Sequence, residues 1–153
     1  MISFLKGILD SVRDEMIIIN VNGIGFAVQA GASTIRRMPP NGNEVKLYTY
    51  LYSRDEGLSL YGFYEQNELE VFRLLIGVAG VGPKAATVLL SFLDPEKLKI
   101  AVARGDVGIL KQAPGIGKKT AERIILELKD KILKIIPLEK ADLTSFNTEG
   151  DDA

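Results

Sequence analysis

Residues 113–124 read APGIGKKTAERI, with two glycines around an isoleucine and two lysines directly after them. A glycine-rich turn that opens a helix favours an anion, because free backbone N–H groups and the positive end of the helix dipole meet there. A nucleotide P-loop is excluded by spacing, since Lys119 separates Lys118 from Thr120 and Gln112 stands where the leading glycine belongs. A dinucleotide fingerprint is excluded too, because Thr120 takes the place of its third glycine.

The same pattern occurs a second time in the chain. Residues 78–86 read VAGVGPKAA, and Gly80 lies 35 residues before Gly115. The two glycines, the β-branched residue between them, one lysine and the closing alanine all superpose, and apolar helical patterns flank both copies. Self-similarity of this kind indicates a duplicated supersecondary unit. Each copy is predicted to be a helix, a hairpin and a helix.

Composition places the unit in a globular chain. With 153 residues, 46% of them hydrophobic, the sequence has enough apolar material for one or two small domains. Cysteine and histidine are absent, which excludes disulfides, thiol nucleophiles, the usual zinc sites and the commonest general base. No stretch approaches the roughly 20 apolar residues of a membrane span, and no signal peptide is evident. We therefore expect a cytoplasmic protein without a membrane partner.

Charge is distributed unevenly along the chain. Residues 1–63 carry 6 basic and 6 acidic side chains, residues 64–137 carry 12 and 9, and residues 138–153 carry 1 and 5. The net charge of the whole chain, −1, argues against nucleic acid. The basic excess, however, lies in the segment with both glycine turns, where its sign suits phosphate.

The first 63 residues have the two-residue period of strands. Five runs, ISFLKGIL, MIIINV, GFAVQA, VKLYTYLY and LSLYGF, are joined by turns that include Asn22-Gly23, a strong hairpin signal. Five short antiparallel strands in about 60 residues predict a small closed barrel of the OB type. A fully open sheet is the alternative.

Residues 64–137 have a helical period and predict a domain of five helices. Pro83 suits a first helical position, Asp94 and Asp106 suit N-caps, and Gly105 suits a C-cap. The last helix is expected to begin near Lys118. Residues 138–153 are predicted to be an acidic flexible linker or tail.

The glycine turns have a structural and a functional interpretation. As purely structural features they allow tight turns between helices, but their duplication favours two sites that hold phosphates of one duplex. Such contacts ignore sequence and weaken with salt. Surface lysines are equally often merely solvated. The predicted contacts are Gly80, Gly82, Lys84, Gly115, Gly117, Lys118, Lys119, Thr120 and Arg123.

In this order, a five-stranded domain ending in LYGF followed by GVGPKAA and PGIGKKTAERI resembles the RuvA family of Holliday-junction-binding proteins over nearly the whole chain. The resemblance implies a homotetramer or a double tetramer around a four-way junction held open and square. It implies as partners the junction and duplex DNA, the hexameric ATPase RuvB and the junction endonuclease RuvC, in bacterial recombination and repair. It also implies that this chain is non-catalytic and has no cofactor of its own, because the partner ATPase uses the ATP and magnesium.

The resemblance also gives a meaning to residues 54–57. From the residues alone, Arg54-Asp55-Glu56-Gly57 is a polar hairpin tip that is exposed for solvation. In the RuvA family the matching acidic pair forms a pin at the junction centre, and it falls on Asp55 and Glu56, with Arg54 as a neighbouring DNA contact. Carboxylates there would repel phosphates and keep the crossover open.

One departure concerns the end of the chain. RuvA proteins continue beyond an acidic linker into a third helical domain that binds the ATPase, whereas this sequence ends at Ala153. We expect a truncated form. Junction binding and tetramer formation should survive, and coupling to the motor depends on the third domain.

Two alternatives come from other functional classes. A helix-hairpin-helix DNA glycosylase/lyase would use Lys119 as a Schiff-base nucleophile, but it needs a catalytic aspartate farther from the hairpin than Asp130. A single-strand-binding OB domain would expose aromatic side chains. Tyr48, Tyr50 and Tyr52 alternate onto one strand face, and the simpler interpretation is that they pack the barrel or a subunit interface.

Overall fold

A computed structural model describes residues 1–135 of the chain. The barrel strands are β1 (Phe4–Arg13), β2 (Met16–Val21), β3 (Ile24–Gln29), β4 (Glu44–Arg54) and β5 (Gly57–Phe63), with a short helix α1 (Ala32–Arg36) between β3 and β4. The helical part contains α2 (Gln66–Ile76), α3 (Pro83–Phe92), α4 (Pro95–Arg104), α5 (Val107–Lys111) and α6 (Lys118–Ile135). The predicted linker at residues 138–153 lies outside the described residues.

The five strands close into a barrel in the order β1-β2-β3-β5-β4. This confirms the barrel and excludes the open sheet. The prediction that all strands are antiparallel is wrong, because β3 and β5 pair in parallel through Val28 with Leu60 and Gln29 with Tyr61. The chain between β3 and β5 passes through α1 and β4, and this long connection brings β5 alongside β3 in the same direction.

Alternating apolar residues fill the barrel. The most buried include Leu9, Ile17, Ile19, Val28 and Leu47, each at most 1% exposed. Asn22 and Gly23 both have positive φ, 53° and 90°, as the predicted two-residue hairpin between β2 and β3 requires. The interior of the barrel is therefore a packed core.

The helical part packs against the outer faces of β4 and β5. Phe72 of α2 lies 5.6 Å from Tyr50, 5.7 Å from Tyr61 and 4.8 Å from Phe63, measured between ring centroids. Tyr48 and Tyr52 also pack against this helical core. The helices thus use the barrel wall as one side of their own hydrophobic core.

Local signals set the helix ends as the sequence predicts. The Asp94 carboxylate accepts a hydrogen bond from the Lys97 amide at 2.8 Å, and the Asp106 carboxylate accepts one from the Ile109 amide at 3.1 Å. Gly105 adopts the left-handed conformation between the two helices, with φ 71°. Each such cap contributes about 1 kcal/mol to helix stability. Together they fix the path of the chain between the two glycine hairpins.

Candidate nucleic-acid interface

The first hairpin joins α2 to α3. Gly80 has a φ of 87°, which a residue with a side chain rarely adopts, and Gly82 is extended at φ −93° and ψ 177°. The Val81 amide donates a hydrogen bond to the Val78 carbonyl at 3.0 Å, and both side chains are buried. Two apolar anchors therefore hold a turn whose glycines face solvent.

The second hairpin joins α5 to α6 and repeats this geometry. Gly115 has a φ of 83°, and the Ile116 amide donates to the Ala113 carbonyl at 3.1 Å. Ile116 and Ala113 are buried as Val81 and Val78 are. The duplication seen in the sequence is thus a duplication of backbone conformation and of its anchors.

The second glycine of each hairpin is not explained by the fold. Neither Gly82 nor Gly117 has a positive φ, and a Cβ atom added at either position would meet no heavy atom within 4 Å. Neither backbone conformation nor crowding inside the described chain calls for glycine there. An external ligand that approaches the backbone closely supplies such a reason.

Both hairpins present unpaired amides at a helix start. The first i to i−4 hydrogen bond of α3 runs from Ala86 to the Gly82 carbonyl, and that of α6 runs from Ala121 to the Gly117 carbonyl, both at 3.0 Å. The amides before these bonds have no partner in the helical ladder. In α3 they belong to Gly82, Lys84 and Ala85, because Pro83 has no N–H, and in α6 to Gly117, Lys118, Lys119 and Thr120.

The predicted cations differ in their partners. Lys84 and Lys119 are exposed and form no ion pair within residues 1–135. Lys118 lies 3.9 Å from Glu122, and Arg123 lies 3.5 Å from Glu127. These exposed pairs contribute at most about 1 kcal/mol each, so an incoming phosphate can displace the carboxylates.

The acidic pair lies at the tip of the β4–β5 hairpin. Asp55 and Glu56 form the two-residue turn, followed by Gly57 at φ 137°, and both carboxylates are exposed. The Arg54 guanidinium lies over the Tyr52 ring, 4.9 Å from its centroid. The structure thus places the predicted pin at an exposed end of the barrel.

A cleft between the barrel and α3 brings Arg54 and Lys84 to the same side of the molecule. It also contains Arg36, which the sequence reasoning did not identify. The available signal was the pair Arg36-Arg37, the only charged residues between positions 30 and 43. Without the fold, neither arginine could be placed near the hairpins.

Arg37 connects the barrel to α2. Its guanidinium lies 3.0 Å from the Glu65 carboxylate and 3.3 Å from that of Glu68. Glu68 is 3% exposed and accepts a hydrogen bond from the Glu65 amide at 3.0 Å. Burial raises the pKa of Glu68, and the Glu65 amide and Arg37 only partly offset that increase.

The other functional classes find less support. Tyr50 and Tyr52 make ring contacts with Phe72 and Tyr61, so they are not an open platform for bases. A glycosylase/lyase needs a pocket that encloses a flipped base, whereas Asp130 and Lys119 are both exposed on α6. Within residues 1–135 there is no cluster of metal-ligating side chains and no helix long and apolar enough to cross a membrane.

Comparison with known families agrees with this architecture. Residues 1–62 match the RuvA N terminal domain, and residues 72–130 match the SAM-like Helix-hairpin-helix tandem. The first match covers the barrel, and the second covers both glycine hairpins.

Similar proteins carry the name Holliday junction branch migration complex subunit RuvA. The protein of Caldanaerobacter subterraneus subsp. tengcongensis is 49% identical over 142 residues, which are 93% of this chain and 76% of that protein. That of Acetivibrio thermocellus is 50% identical, covering 88% of this chain and 66% of its own length. That of Thermoanaerobacter sp. is 46% identical over the whole chain and covers 81% of its own length. The chain therefore belongs to the RuvA family.

Proposed function

We propose that this chain is the subunit of a branch migration complex that binds Holliday junctions in homologous recombination and DNA repair. It holds the four-way junction open through phosphate contacts that do not depend on base sequence. The names of its relatives and the helix-hairpin-helix tandem support this function. The chain itself supplies binding and geometry, whereas an ATP-driven partner moves the DNA.

The open second glycine of the two hairpins carries this proposal. Gly82 and Gly117 are exposed, and the space that a Cβ atom would occupy at each is open, so a phosphate can approach their amides to hydrogen-bond distance. Lys84, Lys118, Lys119 and Arg123 add positive charge around them, and the Thr120 amide and hydroxyl add donors. Contacts of this kind fix the position of the DNA but do not distinguish one base sequence from another.

Specificity for a junction then depends on shape and assembly. In the proposed assembly, residues 1–63 form a homotetramer or double tetramer, and residues 64–137 grip the arms. Asp55 and Glu56 face the crossover, where their charge repels phosphates and favours separated strands. The proposed partners are RuvB, which acts as the motor, and RuvC, which acts as the nuclease. The proposed location is the cytoplasm, in association with the nucleoid.

A competition experiment tests this function. A labelled immobile four-way junction is titrated at near-physiological salt with excess linear duplex of the same arm sequences, and binding is read from a gel shift. We expect the protein to retain the junction against the duplex. Equal competition by duplex would reduce the chain to a general duplex-binding module.

A further inference from the structure

A second feature with the character of a phosphate site is the cleft between the barrel and α3. Its volume is about 500 Å³. Its walls are the turn before β2, the ends of β3 and β4, helix α1, and the face of α3 that packs toward α1. Its lining includes Glu15, Gly31, Arg36, Arg54, Lys84, Thr87 and Ser91.

The charge of the cleft is positive. Arg36, Arg54 and Lys84 contribute three cations, and Glu15 is the one acidic residue in its lining. Arg36 is exposed and forms no ion pair within the described part of the chain, residues 1–135. The next residue, Arg37, is by contrast held by two carboxylates and lies 5.2 Å from the Tyr64 ring centroid.

The walls of the cleft are closely packed. A Cβ atom added to Gly31, which precedes α1, would lie 2.9 Å from Thr87 Cγ2 and would overlap Ser91 Oγ. Helix α1 therefore lies against α3 with no spare room, and this contact fixes the backbone of Arg36 relative to that of Lys84. The Arg54 guanidinium lies over the Tyr52 ring, 4.9 Å from its centroid, and this contact restrains the side chain at the edge of the cleft.

Two of the three cations already belong to the proposed interface. Lys84 lies in the first hairpin's helix, which we assign to a DNA arm, and Arg54 lies next to the acidic tip assigned to the crossover. We propose that the cleft is a phosphate slot for the DNA strand between these two points, and that Arg36 is its central contact. This inference rests on the proposed junction binding. Its ligand is the phosphodiester backbone. The guanidinium of Arg36 can donate two parallel hydrogen bonds to the oxygens of one phosphate.

The test compares Arg36→Ala, Arg36→Lys and the control Lys97→Ala, which removes an equal charge from the exposed face of α4. Junction affinity is measured over a range of salt concentrations. We expect Arg36→Ala to weaken binding about tenfold for each bound subunit and to lower the slope of log affinity against log salt by about one for each bound subunit. Arg36→Lys should restore the slope more than the affinity. Lys97→Ala should change neither.

Phosphate neutralisation locates the contact. A series of junctions is prepared, each with a methylphosphonate at the same position in all four arms, because each subunit of the proposed tetramer contributes one Arg36; the position moves from the arm to the crossover along the series. Neutralisation at one of these positions should weaken binding by the wild-type protein as much as Arg36→Ala does, and it should have no further effect on that variant. Wild-type affinity and slope in Arg36→Ala, with wild-type junction preference, would overturn the slot and leave the proposed function intact. Equal affinity of the wild-type protein for junction and linear duplex would instead contradict the proposed function.

Discussion

The two glycine hairpins have the same backbone but different surroundings. Gly80 and Gly115 share a positive φ, and Val81 and Ile116 are each 5% exposed. The first hairpin, however, leads into a helix that packs beside the barrel and has Pro83 at its first position. The second leads into α6, which packs against the other helices.

The two hairpins also differ in charge and in donors. The first hairpin has three amides without an intrahelical acceptor, and one lysine. The second has four such amides, two lysines, Thr120 and Arg123. Two of the second hairpin's cations have carboxylate partners on the same helix, Glu122 and Glu127. A duplicated fold thus preserves the turn while the charges around it diverge. We expect the second hairpin to contribute more of the affinity for DNA. The first hairpin leads into the helix beside the barrel, so we expect it to fix the position of the bound DNA relative to the barrel.

The largest expected effect tests the second hairpin. Lys118→Ala combined with Lys119→Ala should weaken junction binding about 100-fold for each bound subunit and lower the salt slope by about two for each bound subunit, because every subunit loses two phosphate contacts. Fluorescence anisotropy with a labelled junction measures both quantities. The matched control is Lys97→Ala with Lys129→Ala, which removes the same charge from two exposed positions, one on α4 and one about three turns into α6. An equal loss in the control would mean that net charge alone drives binding.

Single lysines at equivalent positions compare the hairpins directly. Lys84→Ala and Lys119→Ala should each weaken binding about tenfold, since each side chain lies in the first turn of its helix without an ion pair among the described residues. Binding isotherms at one salt concentration suffice. An effect confined to Lys119 would show that the first hairpin does not grip DNA.

The first glycines should affect stability more than the second ones. Gly80→Ala and Gly115→Ala place a side chain at a positive φ and should each lower the free energy of unfolding by about 1 kcal/mol or more. Urea unfolding of each variant measures this change. Gly82→Ala and Gly117→Ala serve as controls, and a similar loss of stability in them would contradict the open geometry described above.

The smallest effect concerns Glu68, in the first turn of α2, the helix that leads to the first hairpin. Burial raises the pKa of Glu68, so the folded protein binds this proton more tightly than the unfolded chain. The stability that protonation provides is fully present below the ordinary glutamate pKa and is lost as pH rises through the raised one. Relative to Glu68→Gln, the wild-type protein should therefore gain stability as pH falls from neutral toward 4.5.

Unfolding measured by circular dichroism at several pH values checks this trend. The control is Glu70→Gln, on the exposed side of α2, which should follow the wild-type protein at every pH. A difference between wild type and Glu68→Gln that grows with rising pH in favour of wild type would show that Arg37 outweighs burial.

Local features of this fold could be predicted and long-range ones could not. Pro83, Asp94, Gly105 and the hairpin glycines act on their own backbone, so the sequence indicates the helix ends and turns. The parallel pairing of β3 with β5 depends on residues that are distant in sequence, and no local pattern indicates it. Helix α1 is only five residues long and has no side-chain N-cap, so no sequence pattern predicts it either.

The candidate site divides in the same way. The glycine and lysine positions follow from a repeated motif. The position of Arg36 follows from the contact of α1 with α3, and that of Arg37 from its ion pairs with Glu65 and Glu68. The family resemblance supplied the roles of Asp55 and Glu56, since an exposed acidic turn has no distinctive pattern of its own. Their placement at the crossover stays a prediction.

The most direct test of the account is the double variant Gly82→Ala with Gly117→Ala. Thermal unfolding and junction affinity are measured side by side. We expect a melting temperature close to that of the wild-type protein, because both added Cβ atoms enter open space. We expect a loss of junction affinity of about 100-fold, because in the proposed complex each added methyl group occupies space through which a phosphate approaches the backbone. Unchanged affinity in a stably folded variant would contradict the claim that the two hairpins hold DNA through their backbones.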